Sequence, residues 1–234
     1  MTTAPTKPSR LDSIDQCALA MAYATIALAV CIWRFAPAGP IPMHLDFWGR
    51  VNGWGDHNEA ALVVGGTTGL IGFFYVFVGA MARGHAPDSP ARRGLRTARV
   101  ALLAIGVLIA VLMAELAFSG VRPGVDPSAQ SRIWTATLSL IFLVIGALIG
   151  KASPNPFVGV RTYWALKSRL AWDKSNRLAG RLFFWIGLAG LIAAPVAPPE
   201  PETAVVISAV LLAVALSVFE SWRIWRTDPD RQFP

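Results

Sequence analysis

Six apolar runs, at roughly residues 16–36, 60–82, 98–120, 131–150, 178–197 and 203–223, each reach about the 20 residues that a helix needs to cross a bilayer. Lipid offers no water to unpaired backbone N–H and C=O groups, so segments this apolar must be helices or strands of a closed barrel. The runs are continuous rather than alternating, which selects the helix. The expectation is an all-α integral membrane protein, a bundle of about six transmembrane helices with little chain left for loops. Composition agrees, since 54% hydrophobic residues, 15% charged residues and nine Trp do not describe a water-soluble domain.

The cationic residues are distributed unevenly between the connections. Of the 21 Lys and Arg residues, all but Arg34, Arg50, Arg122 and Arg132 fall in the N-terminal segment, the connections after the second and fourth runs, or the C-terminal tail. Short segments rich in Lys and Arg stay cytoplasmic, so both termini are expected in the cytoplasm, as an even number of spans requires. The net charge of +7 is then a topology signal, and no direct nucleic-acid binding is expected. Lys7 and Arg10 ahead of an apolar run resemble the start of a signal peptide. The run of roughly 20 residues, however, exceeds the usual 7 to 15, and Trp33-Arg34 is an awkward approach to a cleavage site, so the segment is kept as a span. Cys17 and Cys31 lie roughly 21 Å apart along that helix, too far for a disulfide.

Two connections need an explanation beyond solubility in lipid. The first, roughly residues 37–59 on the outer side, is broken by proline and glycine. Pro40 and Pro42 impose an extended approach, Asn52-Gly53 is a turn signal, and Leu45, Phe47, Trp48 and Trp54 suit the membrane surface. His44 and His57, with Asp46, Asp56 and Glu59, offer groups that zinc accepts, but no tight ligand spacing repeats. Turn formation and direct ligand contact compete with that role, and no metal or other cofactor is assigned.

The second connection, after the fourth run, reads Asn155-Pro156-Phe157-Val158-Gly159-Val160-Arg161-Thr162-Tyr163-Trp164. Pro154 and Pro156 end the fourth span, Gly159 gives the backbone latitude, and Ser168 is a good N-cap for a helix. That helix, with Trp172 and the cations Arg169, Lys174 and Arg177, is expected to lie along the headgroups and run into the fifth span. Anchoring at the interface and docking of a cytosolic partner are the two roles open to it.

Within the spans, Glu115 is the intramembrane charge to explain, near the outer end of the third run with Arg34 or Arg132 as candidate partners. Glu220 lies close to Arg223 and the inner surface. Gly65, Gly66, Gly69 and Gly72 stand at spacings that let helices approach closely. No nucleophile with a paired base, no His-Glu-x-x-His and no phosphate-cradling glycine loop is present, so no enzymatic activity is expected.

Ile41-Pro42-Met43-His44, followed by Asp46, Gly49 and Asn52-Gly53-Trp54-Gly55, resembles the IP-x-H loop of a domain of unknown function at the N-terminus of SdpI-type membrane proteins. The segment Asn155 to Leu166, followed by Ser168, Trp172 and Asn176-Arg177-Leu178-Ala179-Gly180, is similar to the second motif of the same family. Asp46 and Val51-Asn52 replace the family's usual Asn and Pro-Asp, and Arg169-Leu170 replaces acidic residues. The resemblance implies a multi-pass protein of the bacterial inner membrane, with a two-helix N-terminal region (1–97) and a four-helix SdpI-like region (98–234). It also implies immunity to a secreted peptide toxin, with signalling by recruitment of a cytosolic winged-helix or helix-turn-helix repressor. On that reading Pro42, His44, Asp46, Gly49, Asn52, Gly53 and Trp54 meet the toxin outside. The cytoplasmic motif comprises Asn155, Phe157, Gly159, Arg161, Thr162, Trp164, Ser168, Trp172, Asn176, Arg177 and Gly180. The alternatives are a small transporter or channel using Glu115, for which long loops on opposite sides would fit two inverted halves, and a structural membrane protein.

Overall fold

The computed structural model describes residues 12–36, 39–86, 88–119, 127–155 and 157–231; Lys7, Arg10, Pro37, Ala38, Arg122 and Pro156 lie outside the described residues. Six long helices carry the fold: α1 (Ser13–Phe35), α2 (His57–Arg83), α3 (Pro90–Ser119), α4 (Pro127–Ile149), α6 (Arg169–Ala193) and α7 (Pro199–Thr227). Between α1 and α2 stands a two-stranded antiparallel hairpin, β1 (Ile41–Leu45) and β2 (Val51–Gly55), and a single turn, α5 (Tyr163–Lys167), precedes α6. The chain passes back and forth, so the hairpin lies at one end of the bundle and the 150–168 connection at the other.

Helix starts are set by side chains that accept the first free N–H groups. Asp12 and Asp15 form a capping box at α1, and Asp56 and Glu59 form another at α2. Thr162 caps α5 and Ser168 caps α6. Five of the long helices, all but α6, are long and apolar enough to cross a membrane. Their outward faces carry Leu62, Phe73, Val76, Leu211 and Leu212, all strongly exposed, as lipid contact requires. The fifth apolar run differs from its expected bounds of 178–197. It is the second half of α6, which starts at the Ser168 cap and stops at Ala193. Its 25 residues span about 37 Å. Its first half keeps Arg169, Lys174 and Arg177 exposed while burying Ala171, Trp172, Ser175, Asn176 and Ala179, an amphipathic face that a hydropathy window reads as too charged.

Two three-helix groups result. Helices α1, α2 and α3 pack on one another, α4, α6 and α7 do the same, and α3 meets α4 across a smaller seam. In the first group, Ile32, Ala60, Val64 and Ala117 cluster at the hairpin end and bury Ile41 of β1 with them. Val78, Ala82, Leu95 and Ala98 cluster at the opposite end. Near that end Arg99 is turned inward, its side chain only 12% exposed, and pairs with Asp15 of α1. The Tyr75 hydroxyl donates to the same Asp15 carboxylate at 2.9 Å, and the guanidinium lies 4.3 Å from the Tyr75 ring centre. One polar contact therefore ties three helices.

The glycines that bring helices together are not those of α2. Gly65, Gly66, Gly69 and Gly72 have nothing near the position of a Cβ, so they face open space rather than a neighbour. Close approach occurs instead between α4 and α6. A Cβ at Gly146 would lie 2.3 Å from the Phe184 nitrogen, one at Gly180 2.9 Å from the Gly150 nitrogen, and one at Gly187 2.4 Å from the Leu143 nitrogen. Those contacts are with backbone, which cannot step aside.

Candidate functional site

The hairpin is built around Asp46. Its Oδ1 accepts the N–H groups of Trp48 at 2.8 Å and Arg50 at 2.9 Å, while the Asp46 carbonyl accepts Gly49 N–H at 3.0 Å. Gly49 takes φ +81°, a left-handed conformation that costs glycine little. The turn therefore falls at Asp46–Gly49, and the expected turn residues Asn52-Gly53 lie in β2 instead. There Gly53 pairs with His44, and a Cβ on it would stand 2.8 Å from the His44 Cβ. Asn52 reaches across to His44, whose Nδ1 lies 2.5 Å from Asn52 Oδ1. Pro42 is buried, whereas Trp54 on the opposite strand is exposed, as are Phe47 and Trp48 at the tip. The acids near the histidines face backbone rather than a shared centre. Asp56 accepts the N–H groups of Asn58 and Glu59, and Glu59 accepts that of Asp56. The Glu59 backbone hydrogen bond in particular holds the Asp56 carboxyl below the usual carboxylate range. Among the described residues no cluster of His, Cys, Asp or Glu could hold a metal.

The hairpin tip reaches the other helix group. A Cβ on Gly49 would lie 2.8 Å from Thr203 Oγ1 in the first turns of α7, and Thr203 Oγ1 is 2.5 Å from Thr135 Oγ1 of α4. Beside Thr203, Glu202 is buried with neither carboxylate oxygen hydrogen-bonded, and Arg132 is the cation that acts on it. Arg132 donates to the carbonyls of Ala194 and Pro195, at 3.2 and 2.7 Å. Glu115 lies partly buried four residues before the end of α3, at this same end of the bundle. Arg34, one of its expected partners, stacks over the Phe35 ring. Glu202 and Thr203 were not legible as site residues. The only sequence signal was an acid in the first turn of an apolar run, where the helix dipole alone would place one.

At the opposite end, the described residues of 151–168 form a connection held by side-chain hydrogen bonds. Asn155 is buried and makes four hydrogen bonds. Its Oδ1 accepts from Phe157 N at 2.9 Å and Val158 N at 2.8 Å, and its Nδ2 donates to Ser153 O at 2.9 Å and Val158 O at 3.0 Å. Phe157 extends to α2, edge-on to Phe77, and packs on the Val78–Leu95 cluster. Gly159, at φ +133°, is where the chain passes over α6. A Cβ there would be 2.6 Å from Asn176 Oδ1 and 3.0 Å from Trp172. Asn176 accepts Val160 N–H at 2.7 Å and donates to Trp172 O at 2.9 Å, and the buried Trp172 indole donates to Ala152 O at 2.8 Å.

The remaining motif residues fall into two sets. Thr162 hydrogen-bonds Ser221 of α7 at 2.7 Å, and the buried Ser168 hydroxyl donates to Asp228 beyond the end of α7. Gly180 is pressed against Gly150 of α4. Arg161 and Arg177 are exposed, and Trp164 is half-buried. Asn155, Phe157, Gly159, Trp172 and Asn176 thus shape the connection and seat it on α6, Thr162, Ser168 and Gly180 fasten it to α7 and α4, and Arg161 and Arg177 are the members turned outward.

This arrangement defines a multi-pass α-helical membrane protein with a structured element at each end of the bundle. Residues 151–221, which run through the 151–168 connection, α5, α6 and most of α7, match the SdpI/YfhL protein family. The hairpin lies outside the matched residues. No curated protein and no solved structure matches the chain.

Proposed function

We propose that this chain is a membrane immunity protein of the SdpI type, protecting a bacterial cell at its inner membrane from a secreted, membrane-active peptide. The hairpin end faces outward and the 151–168 end faces the cytoplasm, following the distribution of Lys and Arg. The observation that carries the reading is the hairpin. Asp46 and Gly49 hold a tip whose Phe47 and Trp48 side chains are exposed, and that tip rests on Thr203 within the family-matched region. Exposed aromatic groups at the membrane surface suit contact with an amphipathic peptide. A peptide that binds two positions of the tip unequally would shift its equilibrium, and the shift would act on α7 directly.

The inner connection supports the signalling half of the proposal. Arg161 is exposed, and Tyr163, Leu166 and Leu170 are exposed around α5, so a cationic and apolar patch is available to a cytosolic repressor. The test is survival of toxin-sensitive cells expressing the intact protein, Trp48→Ala, His44→Ala or Arg161→Ala. Protection by the intact protein that Trp48→Ala or His44→Ala reduces is the expected result. Loss of a transcriptional response with Arg161→Ala, protection being kept, would assign the inner face to signalling. If the intact protein gives no protection against any candidate peptide, the proposal fails.

A further inference from the structure

An open groove of about 490 Å³ runs between α4 and α6 near the 151–168 end. Its floor is where the two helices touch at Gly146, Gly150 and Gly180, and one wall carries Phe184 and the strongly exposed Trp185. Lys151, Arg177 and Arg181 line it as well. Arg177, Arg181 and Trp185 follow one another at four-residue intervals, so they occupy one face of α6 at steps of about 6 Å. Along the bundle axis the groove is therefore cationic toward the end of the bundle and aromatic toward its middle.

The three cations of the groove are not neutralised by the ion pairs of their end of the protein. Arg169 pairs with Asp173 and Arg223 with Glu220 on the same end of the protein, whereas none of Lys151, Arg177 and Arg181 takes part in an ion pair among the described residues. Arg181 uses only Nε, donating to the Arg177 carbonyl at 3.3 Å, which leaves its terminal nitrogens for an external acceptor. No Asp or Glu lines the groove.

We propose that this groove is a binding site for an anionic glycerophospholipid. The phosphate sits among Lys151, Arg177 and Arg181, and an acyl chain lies along Phe184 and Trp185 toward the bilayer centre. Basic recesses between membrane helices at the headgroup level take phosphate-bearing lipids by this chemistry, and arginine forks suit the phosphate oxygens. The lateral opening toward lipid, and the cationic-to-apolar order along the axis, favour a bilayer lipid over a water-soluble anion.

The test uses the purified full chain in zwitterionic detergent. Its thermal unfolding is followed while phosphatidylglycerol, cardiolipin, phosphatidylcholine or inorganic phosphate is added, since a ligand of the folded state raises the midpoint by mass action. The anionic lipids are expected to stabilise, and phosphatidylcholine and phosphate are not. Replacing all three cations (K151Q, R177Q, R181Q) is expected to weaken the lipid affinity about a hundredfold, at roughly a factor of five for each charge. The equally discharged R92Q, R93Q, R96Q variant should bind as the native protein does. Arg177→Lys with Arg181→Lys should keep most of the binding. Ala147→Trp, which fills the groove and leaves its charge intact, should lose it, and so provides the test if the discharged variant fails to fold. Equal weakening by the distant triple variant would reduce the effect to diffuse surface charge and overturn the site. Stabilisation by inorganic phosphate matching that by lipid would overturn the lipid assignment, and unchanged binding in the Ala147→Trp variant would overturn the groove.

Discussion

Asn155 gives the sharpest test of how the inner connection is held. Asn155→Ala removes the acceptor for two backbone N–H groups, those of Phe157 and Val158, and the donor to the Ser153 and Val158 carbonyls. A buried donor left unmet costs about 1–3 kcal/mol; Asn155 is only 6% exposed but Phe157 and Val158 are half-buried, which puts each N–H at about 1–2 kcal/mol and the two together at about 2–4 kcal/mol. At about 1.4 kcal/mol per decade, local opening of the 153–160 segment becomes about 30- to 1,000-fold more frequent. Asn155→Asp keeps both acceptor contacts and loses only the donations, so it should cost about half as much, the smaller part being recoverable by water at the Ser153 carbonyl. Hydrogen exchange of peptides covering residues 153–162, measured in detergent or nanodiscs, reads both variants directly. The expected order is native slowest, Asp intermediate and Ala fastest, with the first turn of α2 unchanged. Equal exchange in Asp and Ala variants, or native-like exchange in both, would refute the view that Asn155 organises the connection through its acceptor oxygen.

Other substitutions examine the packing. Gly180→Ala drives a Cβ to within 2.9 Å of the Gly150 nitrogen and should lower stability by about 1–3 kcal/mol, whereas Gly69→Ala in α2 meets nothing and should be neutral or raise it by about 0.5 kcal/mol. The two thermal midpoints moving the same way would contradict that assignment. A double-mutant cycle with Asp15→Asn and Arg99→Gln should show a coupling of about 1–3 kcal/mol in denaturation, because either single change takes the nearer counter-charge from a partly buried group, Arg99 then keeping only the exposed Asp12 at 3.9 Å; strict additivity would deny the contact. The Asp56 cap carries a pH dependence. Its carboxyl titrates lower folded than unfolded, so its stabilisation is complete above the ordinary carboxylate range and fades as pH falls through the folded value. Amide exchange in the first turn of α2, corrected for intrinsic rates, should therefore rise on acidification, and Asp56→Asn, which still caps, should abolish that dependence.

The helical frame was legible because length and apolarity constrain a membrane span so strongly. The start of α6 shows where that signal stops, since Arg169 and Lys174 lower the hydropathy of a stretch whose opposite face buries Trp172 and Asn176. In the hairpin, Asn52-Gly53 has the stronger local turn preference. The pairing of Gly53 with His44 and the two N–H groups held by Asp46 outweigh it. Glycine spacing in α2 likewise looked like packing, but spacing says nothing of which face meets a neighbour, and the contact is made by the glycines of α4 and α6. In the inner motif the residue types announced a special backbone. Their mutual contacts, Asn155 with its own loop and Gly159 over Asn176, needed the folded chain to be seen.

The Gly49–Thr203 contact and the Phe157–Phe77 contact stand at opposite ends of the bundle, and each is a reach by one helix group onto the other. Their effect is mechanical. With a fastening at both ends of the α3–α4 seam, the groups cannot slide past each other without breaking both. Release of one leaves the other as a fulcrum. A molecule that lifts the hairpin tip from Thr203 would therefore leave the two groups fastened at the Phe157 end, the same end at which Ser168 grips Asp228 just past the last residue of α7.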